Sequence, residues 1–319
     1  MQTIRTSTHS LNAAVLDYRT SLDIAHDELK AGRIATALDE LFEDLRQRRD
    51  EEAAEWPSYA HLCLNHPLRA WLHQDPFTRR AFEKPRGYAG DAVMMDYIYG
   101  LGVAGQAARE ATPLGRAIFQ YMDTRPSAKA VRYRRRLLAG LIDRVARRGN
   151  ASVLAIAAGH LREAELSAAV QSGSLREFVA LDQDEASLAV VARDYTRLGI
   201  RTLPGSVRHL LAGVQDPGQY DFVYAAGLFD YLNASVAASF TRRMFQMVRP
   251  GGMMLIPNFL TGIRDAGYME SFMDWRLIYR SESDMQALAS SLPQEAVADS
   301  QVFDDDVDTI TYLLVTKAH

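Results

Sequence analysis

Apolar residues recur at helical spacing from Leu11 to about Arg48, where Leu22, Ile24, Leu29, Ile34, Leu38, Leu41 and Leu45 are set among charges. Such a stripe predicts amphipathic helices. The next stretch, SYAHLCLNHPLRAWLHQDPFTRRAFE, keeps that character but is interrupted at Pro67 and Pro76, so it reads as short helices joined by turns. From Pro126 to Gly149 the pattern predicts one long helix, because Ala130, Tyr133, Leu137, Leu141 and Val145 make an apolar stripe. After Asn150 the period changes. Short apolar runs (SVLAIAA, REFVALD, IRTL, DFVYAAG, GGMMLIPNF) alternate with helical segments such as LREAELSAAVQSG and DEASLAVVARDYTRLG. That alternation predicts βαβ units and a parallel sheet. EAVADSQVFD and TITYLLVTKA leave no room between them for a crossover helix, so an antiparallel hairpin is expected, joined by the acidic DDDVD as a solvated turn. The expected class is α/β: a parallel sheet with a C-terminal antiparallel hairpin, preceded by an all-helical part. The expected boundary places a helical cap and substrate domain at 1-125 and the sheet domain at 126-319.

Composition narrows the function more than the fold. With 319 residues, 48% of them hydrophobic, the chain can build a medium domain with a smaller companion. A net charge of −4 offers no global attraction to nucleic acid or to an anionic membrane. The longest apolar runs fall short of the roughly 20 residues that a membrane span needs. Cys63 is the single cysteine, so no intrachain disulfide can form. Together with the lack of an export-type signal, this makes a cytoplasmic setting the expectation. Arg132, Arg134, Arg135 and Arg136 crowd the long helix without interleaved aromatics, and are expected to form a solvated face rather than a nucleic-acid surface. The histidines are scattered, His61 and His66 lack ligand spacing, and no metal site is expected.

The chemistry-bearing stretches lie at predicted strand ends. In SVLAIAAGHLREAEL a buried strand runs into a loop around Gly159 and then toward a helix, the arrangement that presents backbone amides to a ligand. REFVALDQDEASL ends a second strand in Asp182, placed to accept hydrogen bonds from both hydroxyls of a ribose. Order and spacing thus point to a nucleoside-containing cofactor. A nicotinamide enzyme is disfavoured, because GxGxxG is absent and a terminal antiparallel hairpin is foreign to the doubly wound dinucleotide fold.

The series VLAIAAGHL, VALDQD, LPGSVRHLL, YDFVYAAGLFDYL and MVRPGGMMLI resembles the successive motifs of class I S-adenosylmethionine-dependent methyltransferases, from about Asn150 to the C-terminus. The resemblance implies a Rossmann-like methyltransferase sheet, S-adenosylmethionine as cofactor, and a cofactor site formed by Ala157, Gly159, His160, Asp182, Gln183, Ser206, Val207, Ala226 and Gly227. It also implies that Arg249–Gly252, RPGG, is the turn before the fifth strand. In the first loop this chain departs from the family: Ala155, Ala157 and Leu161 stand where an acid and two glycines are common, and Gly159 alone matches.

KPRGYAGDAVMMDYIYG, with MESFMDWRLIYRSESDM later in the chain, resembles a narrower group: bacterial methyltransferases similar to synthases of hydroxy-fatty-acid methyl ester signals and to enzymes of other small metabolites. Two readings of the first stretch stand. Asp91 is placed to cap a helix beginning near Ala92, with Gly87 and Gly90 allowing a tight path; alternatively Tyr88 and Asp91 are catalytic, with Arg86 and Tyr99 on the substrate. The second stretch is likewise either plain core or a pocket containing Trp275 and Tyr279. Read as helix, it pairs Glu270 with Asp274 to hold a cation, or Arg276 with Arg280 to grip a carboxylate. The expected activity is S-adenosylmethionine-dependent methylation of a small molecule in secondary metabolism, with carboxyl O-methylation of a hydroxy-fatty-acid-like substrate ahead. An N-methyltransferase of a small amine, amino acid or guanidine is the alternative, and a non-catalytic binding module is the reading from another class.

Overall fold

The computed structural model describes residues 20–319. Residues 11–19, where the amphipathic pattern was read to begin, lie outside the described residues. The described residues make two compact units, one formed by those up to Ala128 together with Arg264–Arg276, the other by Lys129–Ile263 and Leu277–His319.

The second unit carries the sheet. Among the described residues it has seven strands: β1 Ser152–Ile156, β2 Glu177–Asp182, β3 Ile200–Pro204, β4 Tyr220–Tyr224, β5 Val248–Phe259, β6 Val297–Asp304 and β7 Ile310–Lys317, in the order β3-β2-β1-β4-β5-β7-β6. β1 to β5 run parallel, and β7 joins antiparallel to both β5 and β6. This is the expected Rossmann-like methyltransferase sheet. β1 is buried at every position because helices cover both faces of a parallel sheet, which is why its sequence reads as an unbroken apolar run. One face packs Leu154, Val179, Val223, Met254 and Leu313 with Phe240 and Met244 of the helix Ala234–Gln246. The order reverses between β1 and β4, and a crevice at such a switch point is where open α/β sheets bind ligands.

Three local expectations change. RPGG lies inside β5, where the register with β4 shifts between Tyr220 and Phe222. LREAELSAAVQSG is not one helix: a short 3-10 turn, Arg162–Glu165, is followed by Ala168–Gln171, started afresh by Ser167, whose hydroxyl accepts from Val170 N. The turn between β6 and β7 is not simply solvated. Asp305 is buried and accepts from the backbone amides of Val307 at 2.8 Å and Ile310 at 2.6 Å, so its carboxylate ties the loop closed.

The first unit is helical in its described residues, and caps explain where its helices begin. Asp75 accepts from Phe77 N and Thr78 N, both at 3.0 Å, ahead of Pro76–Glu83, with proline at the first helical position where no amide is needed. Thr112 opens Pro113–Asp123 in the same way. The late segment Ala266–Phe272 is a helix buried at all seven positions. Tyr268 stacks on Phe42 of Ile34–Glu51 at 4.5 Å, and Gly267 lets the backbone of Leu45 approach so closely that a Cβ would stand 2.8 Å from its carbonyl oxygen. Among the described residues no helix is long and apolar enough to cross a membrane.

Candidate cofactor and transfer site

Beyond β1 the backbone turns left-handed at alternate residues: Ala157 at φ +51°, Gly159 at +56° and Leu161 at +52°. This is the path a glycine-rich loop takes, although Gly159 is its lone glycine. Each L-residue held there costs about 1–2 kcal/mol, so the path is imposed by its surroundings. Asp182 imposes much of it. Its Oδ2 accepts from Gly159 N and its Oδ1 from Asp184 N, both at 2.8 Å, while its carbonyl accepts from Gly205 N at 2.9 Å. One residue at the end of β2 therefore joins the loops that follow β1, β2 and β3. Burial raises the Asp182 carboxyl above its ordinary range, and the amides of Asp184, Gly159 and Gln183 counter this. Two carboxylate oxygens offer about four acceptor sites, more than these three amides fill.

The other residues expected around a nucleoside lie on the same edge. His160 is buried, and Gln183 is exposed. Ser206 and Val207 are half-buried, the Ser206 hydroxyl capping Val207–Leu211 through His209 N at 3.2 Å. Ala226 and Gly227, also half-buried, follow β4.

At the switch point the structure adds a group of charges that sequence reasoning missed. Arg134 of the long helix Pro126–Ala146 is 5% exposed, and Arg132 and Arg135 are half-buried, leaving Arg136 as the exposed member of the run. The expectation of a solvated basic face is therefore corrected: Arg135 donates to Glu165 at 2.6 Å and to the carbonyl of Arg162, and Arg134 lies 4.0 Å from where a Cβ on Gly227 would begin. Glu163, 7% exposed, accepts from the hydroxyl of Tyr224 at 2.5 Å. Burial raises the Glu163 carboxyl; the Tyr224 hydrogen bond and the charge of Arg134 oppose the shift. Asp230, also buried, is pushed up to about 6 by desolvation, against the pull of Phe259 N, Arg134 and Arg280. A signal for Glu163 was present in the sequence as the acid after a loop whose usual acid is missing.

The residues expected to bind substrate do not assemble as drawn. The helix ends at Phe272, Trp275 N returns to the carbonyl of Met269 at 2.8 Å, and Asp274 adopts φ +44°. Glu270 and Asp274 are thus not neighbours on a helical face, and neither are Arg276 and Arg280. Glu270 accepts from Trp56 Nε1 at 2.7 Å and Arg49 Nε at 3.0 Å, and Asp274 pairs with Lys84. Arg280 belongs to the sheet unit with Tyr279 and is buried, donating to the carbonyls of Phe229 (2.6 Å) and Leu232 and to Asn258 Oδ1, so its guanidinium fixes the segment after β4 instead of facing a ligand. Asp91 is fully buried. It caps Ala92–Tyr99 through Val93 N at 2.9 Å and Met94 N at 3.1 Å, and receives the guanidinium of Arg80 at 2.6 and 3.2 Å. A helix cap and an ion pair thus hold its carboxylate. Arg86, Tyr88 and Tyr99 are half-buried.

Residues 154–256 match the family described as methyltransferase domain. Among solved structures, a Bordetella parapertussis protein described as a possible exported protein is 15% identical with a TM-score of 0.55, over 72% of this chain and 80% of that one. The apo form of the S-adenosylmethionine-dependent methyltransferase SibL is 16% identical with a TM-score of 0.50, over 97% of this chain and 99% of that one. At these identities the likeness is one of fold. No curated protein sequence matches the chain. Residues 154–256 are thus a methyltransferase domain, one that uses S-adenosylmethionine.

Proposed function

We propose that this S-adenosylmethionine-dependent methyltransferase methylates the carboxylate of a small acid with an apolar tail, of the hydroxy-fatty-acid type. The observation that carries the reading is the state of the acids. An amine acceptor needs a carboxylate to hold its cation and take a proton, yet Asp91, Glu270 and Asp274 are each paired with a cation of the helical unit. A carboxylate acceptor is already nucleophilic and needs orientation more than a base.

Bound S-adenosylmethionine supplies a methyl group activated on a sulfonium, so the protein's share is alignment and exclusion of water. Asp182 holds the ribose hydroxyls through the acceptor capacity its backbone bonds leave open, and the left-handed loop from Ala157 to Leu161 brings its backbone alongside the cofactor. Ser206 and Val207 edge the adenine, Gln183 adjoins the ribose, and Ala226 and Gly227 border the transfer centre. In the helical unit Arg86, Tyr88, Tyr99 and Trp275 contribute to acceptor binding, with Arg276 as a carboxylate anchor: it is 51% exposed and its pairing with Asp274 is long, 3.8 Å, so an acceptor carboxylate can compete for it. Incubation with methyl-labelled cofactor and pools of carboxylic acids and amines tests this: label should enter acids and be released by mild base, as a methyl ester requires. Base-stable label in the amine pool would replace it with N-methylation.

A further inference from the structure

The α-amino acid end of S-adenosylmethionine is a zwitterion, and a site that binds it in a dry crevice needs one buried cation and one buried anion. The sheet unit supplies both at its switch point. Ala155 of β1 pairs in register with Tyr224 of β4, so the small side chain that stands where the family commonly has an acid lies beside a tyrosine. The hydroxyl of that tyrosine carries the carboxylate of Glu163 at 2.5 Å. Arg134 reaches the same place from the helix before β1, next to Gly227 at the end of β4. Both side chains are more than nine-tenths buried.

We propose that Arg134 and Glu163 form the cradle for the amino-acid end of the cofactor, Arg134 taking the α-carboxylate and Glu163 the α-ammonium, so that the acid missing from β1 is supplied by the segment after the loop. The inference rests on the cofactor reading above. Ala155 gives the room: a carboxylate at 155 would compete with Glu163 for the Tyr224 hydroxyl. Charge balance agrees, since a bound zwitterion adds no net charge to a site that already holds Arg134 and Glu163. Burying two charged side chains costs desolvation, which leaves recognition as the reason to keep both here.

The test is calorimetric binding of S-adenosylhomocysteine and of 5′-methylthioadenosine, which lacks the amino-acid end, to wild type, Arg134→Met, Arg134→Lys and Glu163→Gln. Wild type should bind the homocysteine compound more tightly; if it binds neither, the cofactor reading itself fails. Arg134→Met and Glu163→Gln should each weaken S-adenosylhomocysteine by about 10- to 100-fold, the worth of one charge-assisted contact, and leave methylthioadenosine within about 2-fold. Arg134→Lys keeps the charge and loses the fork, so a smaller selective loss, about 5-fold, is expected and stands in if Arg134→Met does not fold. Equal loss for both ligands, or none for either, overturns the cradle and makes the pair a support of the loop.

Discussion

The two units treat buried charge in opposite ways. In the helical unit the acids are used up locally: Asp91 by Arg80 and a helix cap, Glu270 by Arg49 and Trp56, Asp265 by Arg125 at 2.7 Å. Glu270 and Asp265 join segments distant in sequence, Asp91 joins neighbouring helices, and the contacts of each are made without a ligand. In the sheet unit Asp182, Glu163, Arg134 and Asp230 gather where strands end and loops begin, and backbone amides or a tyrosine supply many of their contacts. A charge met by a countercharge is finished; one met by an amide or a hydroxyl keeps acceptor capacity. The kind of partner is a guide to where chemistry lies and not a sharp line between the units: Asp75 of the helical unit is met by the amides of Phe77 and Thr78 and by the Thr78 hydroxyl, and Glu163 and Asp230 also feel the charge of Arg134.

The hardest blow to this contrast is truncation. Removing residues 1–125 strips Ala266–Phe272 of its partners, exposing Tyr268, Met269 and Phe272, worth about 1.5–3 kcal/mol each, and leaving Glu270 without Arg49 and Trp56. The sum rivals the whole stability of an ordinary domain, about 5–15 kcal/mol. Aggregated protein on size exclusion is the expected outcome. A soluble monomer would show that the late helix does not depend on those contacts.

Next comes a titration common to both units. Asp75 and Asp230, both fully buried, are raised to about 6 by desolvation, against an ordinary 3.8. The folded state then holds protons that the unfolded chain releases, so stability should fall as pH rises from about 4 to 6, by up to about 1.4 kcal/mol per pH unit for each group. Asp230→Asn should flatten half of that slope in chemical unfolding; an unchanged slope would put the titration elsewhere.

Much of this was legible in the sequence. The strands were, because a sheet covered on both faces needs unbroken apolar runs, and so was the hairpin, because its linker is too short for a crossover. What stayed hidden depends on contacts distant along the chain. Glu270 and Asp274 looked like a helical pair because spacing cannot show that the helix stops at Phe272, and Ala266–Phe272 carries no mark of the unit whose core it fills. The arginine run looked solvated because the groups that meet it, Glu165 at Arg135 and the charges of Glu163 and Asp230 near Arg134, come from later segments.

Two matched substitutions sharpen the contrast directly. Asp91→Asn removes the charge facing Arg80 and should lower stability by about 2–3 kcal/mol, with the single-turnover rate per folded molecule within about 2-fold. Asp182→Asn turns one oxygen into a donor opposite a backbone amide. It should weaken S-adenosylhomocysteine by about 10- to 100-fold with a smaller stability loss, about 1–2 kcal/mol. If the two variants behave alike in both measurements, the partner rule is wrong.

The smallest effect lies in the loop itself. Ala157 and Leu161 both hold left-handed backbone that glycine adopts without penalty. Ala157 is half-buried and gives up a single methyl, so Ala157→Gly should gain about 0.5–1 kcal/mol after the extra unfolded-state entropy of glycine is subtracted. Leu161 is buried, and losing its side chain removes about 2–5 kcal/mol of packing, more than relief of the backbone returns. Leu161→Gly should therefore destabilise. The two variants share a conformation and differ in burial, so opposite shifts of the thermal midpoint are the expected result. If Asp182 sets the path of the loop, Ala157→Gly should also leave S-adenosylhomocysteine affinity within about 2-fold. A clear loss of affinity there would mean that the alanine methyl itself shapes the cofactor surface, which would explain why a strained alanine stands where glycine costs less.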